Sequence, residues 1–109
     1  MFYLRDVQDA VHWEMLRDLG NKSDEQLRTM AYAGLAEESG EVLGILKRTI
    51  RDFDKDKPAC STEHKVEELG DVLWYLAMIC IVENVSLERV WEYNRLKLEE
   101  RYGRQSTET

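Results

Sequence analysis

Apolar residues recur along most of the chain at the three- and four-residue spacing of amphipathic helices. Helix-breaking residues interrupt this pattern at four places: Gly20 to Lys22, Asp52 to Ser61, Asn84 to Ser86, and the tail from Gly103. The intervals between them predict helices over residues 4–19, 24–51, 62–83 and 87–102. The sequence therefore predicts an all-α fold, a bundle of about four helices without internal repeats.

The ends of these predicted helices carry residues suited to capping. Ser23, followed three residues later by Gln26, matches a capping box. The expected caps of the later helices are Ser61 or Thr62 and Ser86, and Gly103 is the expected terminator of the last helix. These local signals support the proposed boundaries.

The third predicted helix is uncharged on every face from Val72 to Val82. Such a helix must be covered all round, and three neighbouring helices of this size can hardly do so. We therefore expect a second copy of the chain to complete the bundle, as a homodimer or a homotetramer. The alternative is a tight monomer with this helix at its centre.

Carboxylates interrupt two stripes that are otherwise mostly apolar or small. The stripe on the second helix is Leu27, Ala31, Gly34, Glu38, Glu41 and Ile45, and the stripe on the third is His64, Glu68, Asp71, Tyr75, Met78 and Val82. Glu37 and Glu67 flank the acidic pairs. Each helix thus directs two acids, three residues apart, along a face that continues into the core.

Four carboxylates converging from two packed helices would repel one another and lose hydration unless cations were bound. Oxygen ligands without a thiolate or a clear histidine partner favour Mg²⁺, with Mn²⁺ as a substitute, over Zn²⁺. Because Mg²⁺ is commonly shared with substrate phosphates, this pattern indicates a polyphosphate ligand. The alternative is that the acidic pairs are solvated surface.

Composition and charge narrow the range of partners. The 109 residues fit one domain, predicted over 1–103 with a tail at 104–109, and 15 basic against 22 acidic residues give a net charge of −7. This charge disfavours nucleic acid and anionic membranes as partners.

No targeting segment is visible, and the run from Val72 to Val82 is shorter than the roughly 20 residues that span a bilayer. With Cys60 and Cys80 expected to be unpaired, we predict a cytoplasmic protein.

The acidic residues have three alternative interpretations. Asp52, Asp54, Asp56 and Glu63 have the spacing of an EF-hand loop, but Lys57 stands where the loop's turn needs glycine. A di-iron bundle needs Glu-x-x-His pairs, which the chain lacks. The remaining alternative is a non-catalytic acidic helical module for oligomerisation or protein interaction.

The acidic motifs resemble those of the MazG-like all-α nucleoside triphosphate pyrophosphohydrolases, in particular their small, single-domain, phage-like members. That family carries Glu-Glu-x-x-Glu followed, after a variable spacer, by Glu-x-x-Asp. Here the motifs read Glu37-Glu38-Ser39-Gly40-Glu41 and, after 26 intervening residues, Glu68-Leu69-Gly70-Asp71. Asn94-x-x-Lys97-Leu98-x-x-Arg101-Tyr102 resembles the closing motif.

The resemblance implies Mg²⁺-dependent hydrolysis of ribo- or deoxynucleoside triphosphates between the α- and β-phosphates. The products would be the nucleoside monophosphate and pyrophosphate. The implied metal ligands are Glu38, Glu41, Glu68 and Asp71. Glu37 is a candidate for orienting or deprotonating the attacking water, although the motif leaves the identity of the general base open.

Basic and aromatic residues supply candidate substrate contacts. Asn94 and Lys97 are the favoured phosphate contacts, because they match the family motif and share a helix face. Lys47 and Arg101 are further candidates, with helix-end and surface roles as the alternatives. The candidates for base recognition are Trp13 and Tyr75, with core packing as the alternative.

Overall fold

The computed structural model describes residues 1–52 and 61–103, and within these ranges it contains helices and no strand. The helices are α1 (Leu4–Leu19), α2 (Asp24–Arg51), α3 (Thr62–Val82) and α4 (Leu87–Tyr102). The predicted all-α fold is confirmed. Three of the four predicted ranges match, and α3 ends one residue earlier than expected.

Serine hydroxyls fix the starts of three helices. The Ser23 hydroxyl accepts from the Gln26 N–H at 3.1 Å, and the Gln26 side-chain oxygen accepts from the Ser23 N–H at 3.0 Å, completing the capping box. Ser61 and Ser86 accept in the same way from backbone N–H groups three residues later. Gly103 ends α4 in the left-handed conformation at φ 54°, which glycine adopts without strain.

Among the four described helices, α2 and α3 form the most extensive contact. Ala31 on α2 and Met78 on α3 are fully buried, and the N-terminal part of α2 lies beside the end of α3. There the Arg28 guanidinium donates to the Val82 carbonyl and to the Glu83 carboxylate, each at 3.2 Å. The two helices therefore run antiparallel, which places the middle of α2 opposite the first half of α3.

Helix α1 covers the second half of α3 and also anchors the start of α4. Its Gln8 side chain donates to the Val85 carbonyl at 2.9 Å and accepts from the Leu87 N–H at 2.8 Å. The turn between α3 and α4 contains Asn84 at φ 58°, and the two helices meet at an angle of 101°. As a result α4 leaves α3 and lies against α1.

Several large apolar side chains remain exposed. On the C-terminal half of α2 they are Leu43, Leu46 and Ile50, and on the first half of α3 they are Val66, Leu69 and Leu73. Further along α3, Ala77, Met78 and Cys80 are buried. The other helices of the same chain therefore bury most of the second half of α3, but they leave part of its first half exposed.

Some sequence features lie outside the described residues: most of the EF-hand-like acidic loop, Cys60, and the predicted tail 104–109. The other cysteine, Cys80, is a buried free thiol. Among the described helices, none taken singly has the length and apolar character needed to cross a membrane; α3 and α4 meet that criterion only jointly, as a sharply bent pair.

Candidate metal centre

Three carboxylates from two helices come together in the middle of the α2–α3 contact. Glu38 of α2 and Glu68 and Asp71 of α3 each offer one oxygen, and the three oxygens lie within 4.8 Å of one another. Glu38 and Glu68 are half-buried, whereas Asp71 is exposed. The cluster thus opens to solvent on the side of Asp71.

Local sequence explains this convergence. Glu68 and Asp71 are three residues apart and therefore lie on the same side of α3. Glu38 follows Gly34 by one turn of α2, and the buried Ala31 and Gly34 lie on the same stripe of that helix. Antiparallel packing of the two stripes then brings the three carboxylates face to face.

The electrostatic environment of Glu38 disfavours its charged form. Partial burial raises the pKa of the Glu38 carboxyl above its ordinary value, and the negative charges of Asp71, Glu37, Glu68 and Glu41 raise it further. Within residues 1–52 and 61–103, no lysine, arginine or histidine forms an ion pair with Glu38, Glu68 or Asp71. Among the residues that the structure describes, no cation therefore balances the negative charge that the cluster concentrates.

Two further acidic residues predicted for the site stand at its margin. Glu41 is exposed and lies outside the group of three converging oxygens, although its charge acts on Glu38. Glu37 is also exposed and adds to the same field. Three of the four predicted metal ligands are thus brought together, and the fourth lies one helical turn from Glu38.

The donor set fits a hard divalent cation. It consists of carboxylate oxygens alone, and Mg²⁺ and Mn²⁺ prefer such oxygens. An ion there would neutralise the repulsion that acts on Glu38. Solvent access at Asp71 leaves room for water or substrate oxygens, which Mg²⁺ usually keeps in its coordination shell.

The chain matches a known protein family. The family model described as "MazG nucleotide pyrophosphohydrolase domain" matches residues 26–104, which include both acidic motifs. The chain belongs to the MazG family. The resemblance inferred from the motifs is therefore confirmed, and the match extends through α4, beyond the metal centre.

A curated phage protein is similar to part of this MazG chain. It is the "Gene 37 protein" of Mycobacterium phage L5, 35% identical over 71 residues, which are 65% of this chain and 62% of the phage protein. The chain thus spans about three fifths of that relative. The similarity is consistent with a small, phage-like type of MazG protein. No solved structure gives a significant match.

The predicted phosphate contacts of α4 lie in a different part of the MazG chain from the carboxylates. Asn94 and Lys97 line a shallow recess together with Val85, Arg89, Val90 and Tyr93. None of the clustered carboxylates contributes to the lining of this recess. Because α4 packs chiefly on α1, the recess and the metal centre are separate features of one chain.

The other two candidate phosphate contacts are exposed. Lys47 lies near the C-terminal end of α2, and Arg101 lies in the last turn of α4. Neither forms an ion pair with another described residue. Their part in substrate binding stays a prediction.

The candidate base contacts differ in their surroundings. Trp13 on α1 is exposed, and the Arg17 guanidinium lies 4.9 Å from the centre of its ring. Tyr75 on α3 is half-buried, one turn beyond Asp71, and packs edge-on against Trp74 with ring centres 5.1 Å apart. Tyr75 is thus the candidate closer to the metal centre along α3, whereas Trp13 belongs to the helix that the family model does not cover.

Gly34 and Glu14 make contacts that the sequence pattern does not reveal. Gly34 is buried directly beneath the Tyr75 ring, and Glu14 of α1 accepts a hydrogen bond from the Trp74 indole. The helical pattern places Gly34 in the buried stripe but gives no sign of its partner. Glu14 carries no local signal, because its contact joins residues far apart in the chain.

Proposed function

We propose that this MazG protein hydrolyses nucleoside triphosphates, ribo- or deoxy-, between the α- and β-phosphates. Water adds to the α-phosphorus, the α–β anhydride bond breaks, and the products are the nucleoside monophosphate and pyrophosphate. The observation that carries the proposal is the convergence of the Glu38, Glu68 and Asp71 carboxylates in a chain of the MazG nucleotide pyrophosphohydrolase family.

Magnesium is the proposed cofactor, with manganese as a substitute. Glu38, Glu68 and Asp71 would hold the ion, and rotation of the exposed Glu41 side chain would add the fourth carboxylate. When bound, the ion polarises phosphoryl oxygens and neutralises charge that develops during hydrolysis. The negative charges of Asp71, Glu37, Glu68 and Glu41, which raise the pKa of Glu38, support this assignment.

The remaining roles belong to side chains of the protein itself. Glu37, exposed beside Glu38, is proposed to orient or deprotonate the attacking water. Asn94, Lys97, Lys47 and Arg101 are proposed to bind the phosphates, and Trp13 or Tyr75 to contact the base. Because Asn94 and Lys97 lie apart from the carboxylates of their own chain, their proposed role requires a second copy of the chain to bring α4 to the metal centre. The net charge of −7 supports a need for such local cations, because the chain as a whole repels an anionic substrate.

We also propose that the protein acts as a homodimer or homotetramer in the cytoplasm. The exposed apolar side chains on α2 and α3 support self-association, since such surface is usually covered by a partner. The free thiol of Cys80 is compatible with a reducing compartment. Nucleic acid and membranes are not among the proposed partners.

Product analysis tests the reaction directly. Purified protein is incubated with each common ribo- and deoxynucleoside triphosphate, with Mg²⁺ and with a chelator. We expect monophosphate and pyrophosphate only in the presence of Mg²⁺. Diphosphate and phosphate would overturn the position of cleavage, and a folded protein that neither binds Mn²⁺ nor turns over any nucleotide would favour the non-catalytic interaction module.

A further inference from the structure

The Tyr75 ring of α3 packs tightly against Gly34 of α2 beside the metal centre. A Cβ atom built on Gly34 would lie 2.6 Å from Cζ of the Tyr75 ring and closer still to its Cδ1 and Cε1. Real Cβ atoms do not approach other atoms so closely. The ring therefore rests on the backbone of α2, and only glycine leaves room for it.

This contact is one helical turn away from the carboxylates on both helices. Gly34 precedes Glu38 by four residues on α2, and Tyr75 follows Asp71 by four residues on α3. Because residues four apart lie one above the other on a helix, the Gly34–Tyr75 contact and the carboxylate cluster are successive layers of the same interface. The distance between the helices in one layer constrains the distance in the next.

We propose that Gly34 and Tyr75 are positioning residues for the metal centre, and that their contact sets the helix separation at which Glu38 meets Glu68 and Asp71. The inference rests on the proposed metal-binding function. Glu38 is on α2 whereas the other two carboxylates are on α3, so an ion can be shared only if the helices keep this separation. Metal sites lose affinity when the groups that orient their ligands are displaced.

Neighbouring side chains restrict movement of the Tyr75 ring away from Gly34. Trp74 packs edge-on against the Tyr75 ring at an interplanar angle of 73°, and the Trp74 indole is itself held by Glu14. A methyl group on Gly34 would therefore press on a ring with restricted freedom to rotate away. The expected response is separation of α2 from α3 next to Glu38.

Titration of Mn²⁺ followed by electron paramagnetic resonance, without nucleotide, tests the proposal. We expect Gly34→Ala to weaken Mn²⁺ binding by about tenfold or more. Gly70→Ala is the matched control, because Gly70 adjoins Asp71 on α3 and a Cβ there would meet nothing within 4 Å. We expect the Gly70→Ala protein to bind Mn²⁺ like the parent.

Variants of Tyr75 test whether Mn²⁺ affinity can be restored in the Gly34→Ala protein, and they provide a second, independent test. Tyr75→Leu, added to Gly34→Ala, makes room for the methyl group and should restore most of the lost affinity. Tyr75→Phe keeps the ring atoms that touch Gly34 and should bind Mn²⁺ like the parent, whereas Tyr75→Leu alone should bind it more weakly. If Gly34→Ala does not fold, this Phe-against-Leu comparison still decides the matter.

The outcomes separate this proposal from the proposed function. A parent protein that binds Mn²⁺, together with a folded Gly34→Ala variant of unchanged affinity, would overturn the positioning role alone. Equal affinities of Tyr75→Phe and Tyr75→Leu would do the same. A folded parent that binds no Mn²⁺ would overturn the metal centre and this inference with it.

Discussion

The Trp74 indole N–H donates a hydrogen bond to the Glu14 carboxylate across the α1–α3 contact, with a nitrogen–oxygen distance of 2.6 Å. Both side chains are half-buried. A hydrogen bond to a charged acceptor is shorter and stronger than one between neutral groups. The bond links α1, which lies outside the matched MazG region, to the residue next to Tyr75.

Removing this acceptor should destabilise the protein. Glu14→Ala leaves the indole N–H without a partner in a half-buried place, so we expect the free energy of unfolding to fall by about 1–2 kcal/mol. Glu14→Gln keeps an oxygen acceptor and should cost less. Urea unfolding followed by circular dichroism measures both changes.

A double-mutant cycle supplies the control. Trp74→Phe removes the donor while keeping an aromatic ring, so Glu14→Ala should cost much less in the Trp74→Phe background than in the parent. The same cost in both backgrounds would show that Glu14 stabilises the fold by some other contact.

The pKa of Glu38 predicts how the stability of the metal-free protein depends on pH. Burial and neighbouring negative charges raise this pKa in the folded state, so the folded protein binds more protons than the unfolded chain between the ordinary and the raised value. The contribution of Glu38 to stability therefore falls as pH rises through that window. The resulting penalty is fully present above the raised pKa and absent below the ordinary pKa of glutamate, about 4.3.

Glu38→Gln tests this sign because glutamine carries no charge. Without metal, we expect the variant to melt at a higher temperature than the parent near neutral pH, and this advantage to disappear at about pH 4 and below. Saturating Mg²⁺ should raise the melting temperature of the parent and have little effect on the variant. Glu37→Gln, which alters an exposed neighbour, is the control and should retain the response to Mg²⁺. A Glu38→Gln advantage that stays the same from pH 4 to neutral pH would contradict the prediction.

The helices were predictable because their signals are local. Ser23, Ser61 and Ser86 each cap the helix that follows, and Gly103 stops α4. The end of α3 shifted by one residue because Glu83 already departs from helical geometry, at φ −92° and ψ 0°, before the left-handed Asn84. The course of α4 was not predictable, since it depends on Gln8, which bonds to residues almost 80 positions away.

The acidic site was predictable to the extent that helical spacing determines it. Apolar stripes on both helices indicated that Glu38 would face Glu68 and Asp71, and the three carboxylates do converge. The spacing could not distinguish Glu41, which remains exposed beside them. The spacing also could not reveal the Gly34–Tyr75 contact, because the axial offset between two packed helices is determined by packing along their whole length.

Glycines that touch nothing should tolerate alanine. A Cβ on Gly70 would have open space around it, and alanine within a helix is favoured over glycine by about 1 kcal/mol. We expect Gly70→Ala to raise the free energy of unfolding by roughly 0.5–1 kcal/mol, as measured by urea titration. Gly34→Ala, made in parallel, should lower it because of the clash with Tyr75. A loss of stability in Gly70→Ala would indicate that another chain crowds this position.

The exposed apolar side chains of α2 should mediate self-association of the protein. Leu43, Leu46 and Ile50 are 66%, 58% and 70% exposed, which is a large apolar area to leave in water. We expect the parent to sediment at two or four times the chain mass of 12.8 kDa. Leu46→Glu places a charge amid these side chains, and burying it in an interface would be costly, so this variant should dissociate while keeping its helicity. Thr29→Glu, also exposed but near the N-terminal end of α2, should leave the assembly intact. A parent that sediments as a single chain would contradict the expected oligomer.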